Sequence, residues 1–399
     1  MTLLYILIGL LILAVVITIH ELGHYLVGKI FKMRITEFAI GFGPVLYKRV
    51  SKKTGEVFSL RMIPLGGFCG FEGEDDAGSG GSSLPTKVEE GEPIQSMDEK
   101  YPVRKDMIFF HEAHPSKRLA VLAAGAFFNF VSAIIFSIIF LLAVGYYQGV
   151  TVTGFQDIAD NPNDSAYRLV VGDEIIAVNG DRLTFWNNFN AAWAGTVNIG
   201  GPVPVTVLRP VDPENPSGAR ERINIYIERI PTVSQTGVAG TTHGFQGTIA
   251  FHDMGFFQAL GRGFTFTFQI GGLILEMLWG LVTGQVQFFG NVGGPVATVS
   301  HLAESVSFGF INILILLPLI SMNLALFNLL PIPALDGARM VFVGIEWGRG
   351  KPINPELEGK IHFFGFIALF GLIIIADVVM LFSGGGVLQS LANLMQWRL

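Results

Sequence analysis

Residues 17–30 read Ile17-Thr18-Ile19-His20-Glu21-Leu22-Gly23-His24-Tyr25-Leu26-Val27-Gly28-Lys29-Ile30. Two histidines four positions apart lie on one face of a helix. Both imidazoles can therefore aim at one metal ion, and Glu21 beside them can take a proton from water. The run closes an apolar stretch, residues 3–28, that holds no Lys or Arg; its ionisable side chains are Tyr5, His20, Glu21, His24 and Tyr25. That stretch exceeds the roughly 20 residues needed to cross a hydrocarbon core. Two histidines and a carboxylate inside such a span are costly and functional by default; the alternative is a polar cluster joining helices. The first basic residue, Lys29, follows the apolar run, which fits a retained span with its N-terminus outside and not a cleaved leader.

Working outward, three more stretches are long and apolar enough to span. Residues 119–147 and 305–335 contain no Asp, Glu, Lys, Arg or His, and 361–383 holds only His362 and Asp377. A further stretch, 263–290, is Gly- and Phe-rich and interrupted by Glu276. It reads as membrane-associated, lying in the interface, with a span as the alternative. Composition agrees, because only 15% of the 399 residues are charged, against a usual figure of about 25%. The net charge of -6 gives no sign of a nucleic-acid partner. The single cysteine, Cys69, excludes an intrachain disulfide framework.

Of the 26 Lys and Arg residues, 14 lie in 29–118, four in 331–360 and seven in 148–262, with Arg398 the last. All the lysines fall in the first two of these segments. The positive-inside rule places 29–118 and 331–360 in the cytoplasm and 148–262, with both termini, outside. Four spans satisfy this, and a fifth full span over 263–290 would invert the loop 331–360.

Between the spans, Ile35–Ile40, Val45–Val50 and Val57–Ile63 are strand-prone, separated by Gly41, Gly43-Pro44 and Lys53-Thr54-Gly55. Residues 73–100 read as a mobile loop, and the acid run Glu72, Glu74, Asp75, Asp76 as its solvated start. His111 and His114 read as surface residues. Within 150–230, Val203–Leu208 and Ile223–Ile227 read as strands and Arg182–Ala194 as a short helix. The run Gly172-Asp173-Glu174-Ile175-Ile176-Ala177-Val178-Asn179-Gly180 reads as a strand bounded by turns.

Catalytic zinc takes three protein ligands and keeps one position open. The third candidate is Asp336, in Asn328-Leu329-Leu330-Pro331-Ile332-Pro333-Ala334-Leu335-Asp336-Gly337. Two prolines stop regular helix there, and broken backbone at membrane depth survives only inside protein or along a wet cavity. Asp336-Gly337 as a plain turn is the alternative. Both motifs lie at the cytoplasmic ends of their spans, as the charge pattern requires, which favours the ligand. Asn323 and Asn328 either hold a substrate backbone or bond neighbouring helices.

Together these motifs resemble the site-2 protease family of intramembrane zinc metalloproteases, RseP type. The likeness covers nearly the whole chain. It rests on His20-Glu21-Leu22-Gly23-His24, on 328–337, on Pro64-Leu65-Gly66-Gly67-Phe68, on Asn291-Val292-Gly293-Gly294-Pro295-Val296, and on 172–180, which is similar to the PDZ pattern. It implies that His20, His24 and Asp336 bind Zn2+, that Glu21 activates water, and that Asn328, with Asn323 the weaker candidate, contacts substrate. It implies that the strands of 33–72 present substrate as an added strand. One departure is Gly125-Ala126-Phe127-Phe128-Asn129, where family members often carry a proline after the glycine. This alters a helix bend and removes no catalytic group. Cys69 stands where relatives have an apolar residue and reads as a small buried hydrophobe.

The expected architecture is a multi-pass α-helical membrane protein of about four spans. It has a cytoplasmic membrane-associated β-region and an inserted extracytoplasmic PDZ-like α+β domain. By segment, 1–32 is the first span with the zinc motif, 33–118 the β-region and loop, and 119–147 the second span. Residues 148–250 form the outer domain, 251–304 an amphipathic membrane-associated segment, 305–360 the third span with its loop, and 361–399 the fourth span and C-terminus. The expected activity is zinc-dependent cleavage of single-span membrane proteins, such as anti-sigma factors or signal-peptide remnants, in a bacterial inner membrane whose lipid is the other partner. Two rival classes remain: a surface-facing zinc peptidase with Glu37 as third ligand, and a metal transporter or scaffold that would not need Glu21.

Overall fold

A computed structural model of the chain describes residues 2–74, 101–158, 161–164, 168–184, 188–212, 215, 218–233, 239–285, 294–307, 310–351 and 353–382. Most of the expected 73–100 loop, Asp75, Asp76, Asn291-Val292-Gly293, residues 286–290 and Arg398 lie outside them. The chain divides into two compact units, Met1–Phe140 with Ala259–Val387, and a second formed by Leu141–Gln258.

The first unit begins with helix α1 (Thr2–Ile30), followed by the paired strands β1 (Ile35–Val50) and β2 (Val57–Phe71) and helix α2 (Pro115–Val144). After the second unit come α4 (Phe256–Val282), α5 (Pro295–Ser307), α6 (Phe310–Asn328), α7 (Asp336–Arg349) and α8 (Pro355–Phe382), α3 belonging to the second unit. Four helices are long and apolar enough to cross a membrane: Leu3–Ile30, Pro115–Val144, Phe256–Val282 and Glu356–Val379. On α1, Leu3, Leu7, Leu11, Val15, Leu22, Leu26 and Ile30 form an exposed apolar stripe at helical spacing, while Val16, His20 and His24 face inward. Such a stripe is stable against lipid and costly against water.

The stretch 263–290 falls largely in α4, one continuous helix whose length meets the alternative of a span. Its buried residues Gly263, Phe266, Thr267, Ile270, Gly271 and Ile274 recur at helical spacing. Ser137 and Thr267 hydrogen-bond at 2.8 Å, and Phe140 stacks on Phe266. Within 305–335 the helix ends ahead of the two prolines, as the sequence predicts. This helix is the 19-residue α6, with Pro318 inside. At 1.5 Å per residue it extends about 28 Å. Pro331 and Pro333 stop it short of Asp336.

The expected separate strands at 35–40 and 45–50 are one bent strand, β1, kinked where Gly41 (φ 88°) and Gly43 (φ 83°) take left-handed conformations. Phe38 lies opposite both Cys69 and Phe58, Ala39 opposite both Phe68 and Ser59, and Ile40 opposite both Gly67 and Leu60. Residues 35–40 therefore lie between the two ends of β2, and 67–71 form an edge. Two of the acids expected to be solvated are paired instead: Glu72 with Arg104 and Glu74 with Arg339. A ligand-free explanation also emerges for Asp377, the acid of the last apolar stretch. Its carboxylate accepts from the backbone N–H of Gly294 (2.8 Å), Ala297 (3.1 Å) and Val296 (3.2 Å), capping α5. A Cβ at Gly294 would lie 2.6 Å from Asp377 Oδ2, which explains a glycine there.

The second unit holds β3 (Tyr146–Phe155), β4 (Glu174–Val178), β5 (Asp181–Arg182), α3 (Phe189–Gly195), β6 (Val203–Pro210), β7 (Arg220–Ile227), β8 (Ile230–Val233), β9 (Ala239–Thr242) and β10 (Phe245–His252). The sheet order is β10-β3-β4-β6-β7, with β5 on β4, and β8 pairs separately with β9. The expected helix 182–194 is shorter because Asn188 caps it, accepting from the Ala191 N–H at 3.0 Å. The Gly172-Asp173 turn is pinned by Arg209, whose Nε and Nη2 each donate to the fully buried Asp173 carboxylate at 2.7 Å.

Within this unit His243 packs against Phe189, Trp193 and Phe245. Burial pushes its imidazole down to about 4, and its Nδ1 accepts from the Phe245 N–H at 3.4 Å. An unfolded histidine titrates near about 6.5. Below that pH the unfolded chain gains a proton that the folded one does not. The stability contributed by this neutral ring is therefore complete above about 6.5 and is lost as pH falls towards about 4. Hydrogen exchange of β10 amides in the full chain, corrected for intrinsic rates, should show protection falling across that window. His243→Phe should flatten the fall, and an unaltered pH dependence in the variant would refute the assignment.

Candidate metal centre

The i, i+4 spacing on α1 puts His20 and His24 on its inward face, where only 6% and 7% of their surfaces remain accessible. Opposite them, α2 presents Val121, Gly125 and Asn129, three positions on one helical stripe. His24 Nδ1 donates to the Val121 carbonyl at 2.8 Å, and the Asn129 amide lies 3.3 Å from His20 Nδ1. Gly125 leaves the room between them: a Cβ there would lie 2.4 Å from His24 Nε2 and 2.6 Å from His20 Cε1. Gly23 lets the two helices approach, since its Cβ would lie 2.4 Å from the Ala124 carbonyl oxygen.

Asp336 arrives from the far end of the chain. After α6 the backbone turns through Leu329–Leu335, with Ala334 held at a φ of 78°. Non-glycine residues persist there only when their surroundings hold them. Two residues of α8 supply the hold. His362 Nδ1 accepts from the Ala334 N–H at 3.1 Å, and Gly365 makes space for Pro333, which a Cβ would meet at 2.1 Å. Gly337 allows the tight return, because a Cβ there would lie 2.3 Å from the Leu330 carbonyl oxygen. Asp336 then opens α7.

Asp336 Oδ2 lies 3.0 Å from His20 Nε2 and 3.3 Å from His24 Nε2, and the two Nε2 atoms are 3.2 Å apart. Among the described residues this is the one cluster of three His, Cys, Asp or Glu whose ligand atoms all lie within 4.8 Å of one another. The donor set suits zinc: two imidazole nitrogens, one carboxylate oxygen and, among the described residues, no fourth protein ligand. The Val121 bond supports this, since a proton held on His24 Nδ1 leaves Nε2 free to ligate. Glu21 adjoins the cluster and accepts from the Cys69 backbone N–H. Gly67, two residues along the same edge, would place a Cβ 3.3 Å from Glu21 Cγ.

The other expected residues separate. Asn328 Nδ2 lies 3.4 Å from His20 Nε2, whereas Asn323 is exposed on α6. Glu37, the rival third ligand, bonds Ser59 and pairs with Arg61 at 2.8 Å. Cys69 is outside the cluster and packs, partly buried, against the hydrophobic cluster that includes Met33, Ile35 and Phe71. His111 bonds the Gly73 carbonyl oxygen, and His114 packs edge-on against Trp347. Sequence reasoning missed Gly125, Asn129 and His362 as parts of this neighbourhood. Gly125 and Asn129 carried one signal, the family-like Gly-to-Asn spacing of the second span, and His362 stood out as an ionisable residue in an apolar stretch.

Comparison with known proteins agrees with this geometry. The model of peptidase family M50 matches residues 8–372. The chain belongs to that family. It is 30% identical over 427 residues to the zinc metalloprotease RasP of Oceanobacillus iheyensis, covering 92% of this chain and 96% of the relative. It is 28% identical over 413 residues to the regulator of sigma-W protease RasP of Bacillus subtilis, covering 89% and 93%. This M50 peptidase is a zinc metalloprotease of the site-2 protease type, and its candidate spanning helices make it a membrane protein.

If Gly125 provides the space for the imidazoles, Gly125→Val should weaken zinc binding by ~10–100-fold, the range seen when the surroundings of a ligand are disturbed. Chelator competition on the purified chain measures this. Parent-like affinity would show that α2 does not confine the site.

Proposed function

We propose that this M50 peptidase hydrolyses a peptide bond in or near the transmembrane segment of single-span membrane proteins, with His20, His24 and Asp336 holding zinc and Glu21 as the general base. The observation that carries this is the convergence of two histidines and an aspartate 316 residues apart at one point against an apolar, span-length helix, with Glu21 alongside. Zinc bound there would polarise the scissile carbonyl and make water more acidic. Glu21 takes the proton from the attacking water and passes it to the leaving amine. The Cys69 N–H orients the Glu21 carboxylate for both transfers.

A peptide bond within a helix is hydrogen-bonded and shielded, so the substrate must be held extended. The edge 67–71 of the bent hairpin supports a strand-addition reading. This edge runs past Glu21, and a substrate strand laid on it would bring its backbone to the cluster. Asn328, beside His20, is the stronger candidate for a substrate contact and Asn323 the weaker. The apolar α1 stripe supports placement in a bacterial plasma membrane, and the basic segments 29–118 and 331–360 support a cytoplasmic active site. The second unit is read as an extracytoplasmic PDZ-like module that filters or docks substrates, on the strength of its antiparallel sheet and the 172–180 run. Substrates of the anti-sigma-factor class, or signal-peptide remnants, fit the sigma-W regulation in the name of the Bacillus subtilis relative.

On a detergent-solubilised single-span reporter, Glu21→Gln should keep its zinc and lose ~10²–10⁴-fold in cleavage rate, the usual contribution of a general base. Undiminished cleavage would remove Glu21 from the mechanism. Asn328→Ala should lower kcat/KM more than Asn323→Ala at equal zinc content; the reverse order would exchange their roles. A zinc-loaded parent that cuts none of several reporters, including ones already shortened outside the membrane, would favour the transporter reading.

A further inference from the structure

Asn129 has no accessible surface, and its Oδ1 has no hydrogen-bond partner. The atom placed toward His20 Nδ1, at 3.3 Å, is the amide nitrogen. A donor facing Nδ1 forces the imidazole proton onto Nε2. That is the nitrogen 3.0 Å from Asp336 Oδ2 and 3.2 Å from His24 Nε2, and protonated it has no lone pair for a metal. Turning the amide by 180° swaps two atoms of nearly equal shape and brings the oxygen to His20 Nδ1. The buried oxygen gains a donor, and the His20 proton moves to Nδ1.

We propose that Asn129 is the positioning residue for His20: its Oδ1 accepts from His20 Nδ1–H and so directs the Nε2 lone pair at the metal. The Val121 carbonyl already does this for His24, at 2.8 Å. Val121, Gly125 and Asn129 then form one stripe of α2, with an acceptor for each histidine at its ends and the cleared space between them. The stripe matches the histidines in reverse order, 121 to His24 and 129 to His20, as antiparallel helices require. Asn129 touches neither metal nor substrate in this role, so it is not a catalytic residue. The inference rests on the reading of His20 and His24 as ligands.

The test measures zinc affinity by chelator competition on the full-length purified protein, together with the visible spectrum of its cobalt-substituted form. Asn129→Leu keeps the volume and removes the acceptor; Asn129→Asp keeps an acceptor oxygen. The leucine variant should bind zinc ~10–100-fold more weakly and shift the cobalt spectrum, and the aspartate variant should restore both. Two parent-like variants would overturn the proposal, and so would equal loss in both, which marks a packing role. If the leucine variant fails to fold, Asn129→Ala replaces it with the same outcomes. His20→Ala serves as the control: unchanged zinc binding there would instead sink the ligand assignment on which the inference rests.

Discussion

Two imidazoles and two carboxylates meet in a space enclosed by apolar helices, and the rest of the first unit is arranged around that fact. Groups of this kind are stable away from water only when each finds a partner. His20 and His24 meet Asp336. Glu21 meets a backbone N–H of the hairpin edge. Each partner comes from a different part of the chain, so satisfying the polar cluster fixes how α1, α2, the hairpin and the 329–335 turn must lie together.

The same logic extends one layer outward. The turn that delivers Asp336 contains a strained alanine, and α8 supports it through His362 and Gly365. Arg339, one turn into α7, pairs with Glu74 just past β2 and so ties the helix of Asp336 to the hairpin that reaches Glu21. Asp377 caps α5, whose Leu302 and Val299 pack against Gly9 of α1. Several ionisable residues of apolar stretches thus have structural tasks that hold the cluster, and a transporter-like trail of free acids and histidines is not needed to account for them.

How much of this could be read from sequence depended on the range of the physics. The His20–Glu21–His24 set was legible because helix periodicity places i and i+4 together. Asp336 was legible because two prolines in an apolar stretch mark broken backbone. Asn129, Gly125 and His362 were not, because they act between helices whose pairing no local pattern encodes. The prolines of 305–335 marked the end of its helix, which stops at Asn328, whereas Glu276 read as an interruption of 263–290 and α4 runs through it. There the glycines serve close packing, as Gly263 against Ile138 and Gly271 against Met322 show. The strands of 35–71 were recognisable singly, but their doubled pairing depends on kinks that only the folded register displays.

We propose one zinc site, formed by His20, His24 and Asp336 with nitrogen and oxygen donors alone. X-ray absorption at the zinc edge of the purified full-length chain tests it most directly. The expected result is one zinc bonded to two imidazole nitrogens and oxygen at about 2.0–2.2 Å. A sulfur scatterer at about 2.3 Å, which only Cys69 or a methionine could provide, or a shell without imidazole, would contradict it.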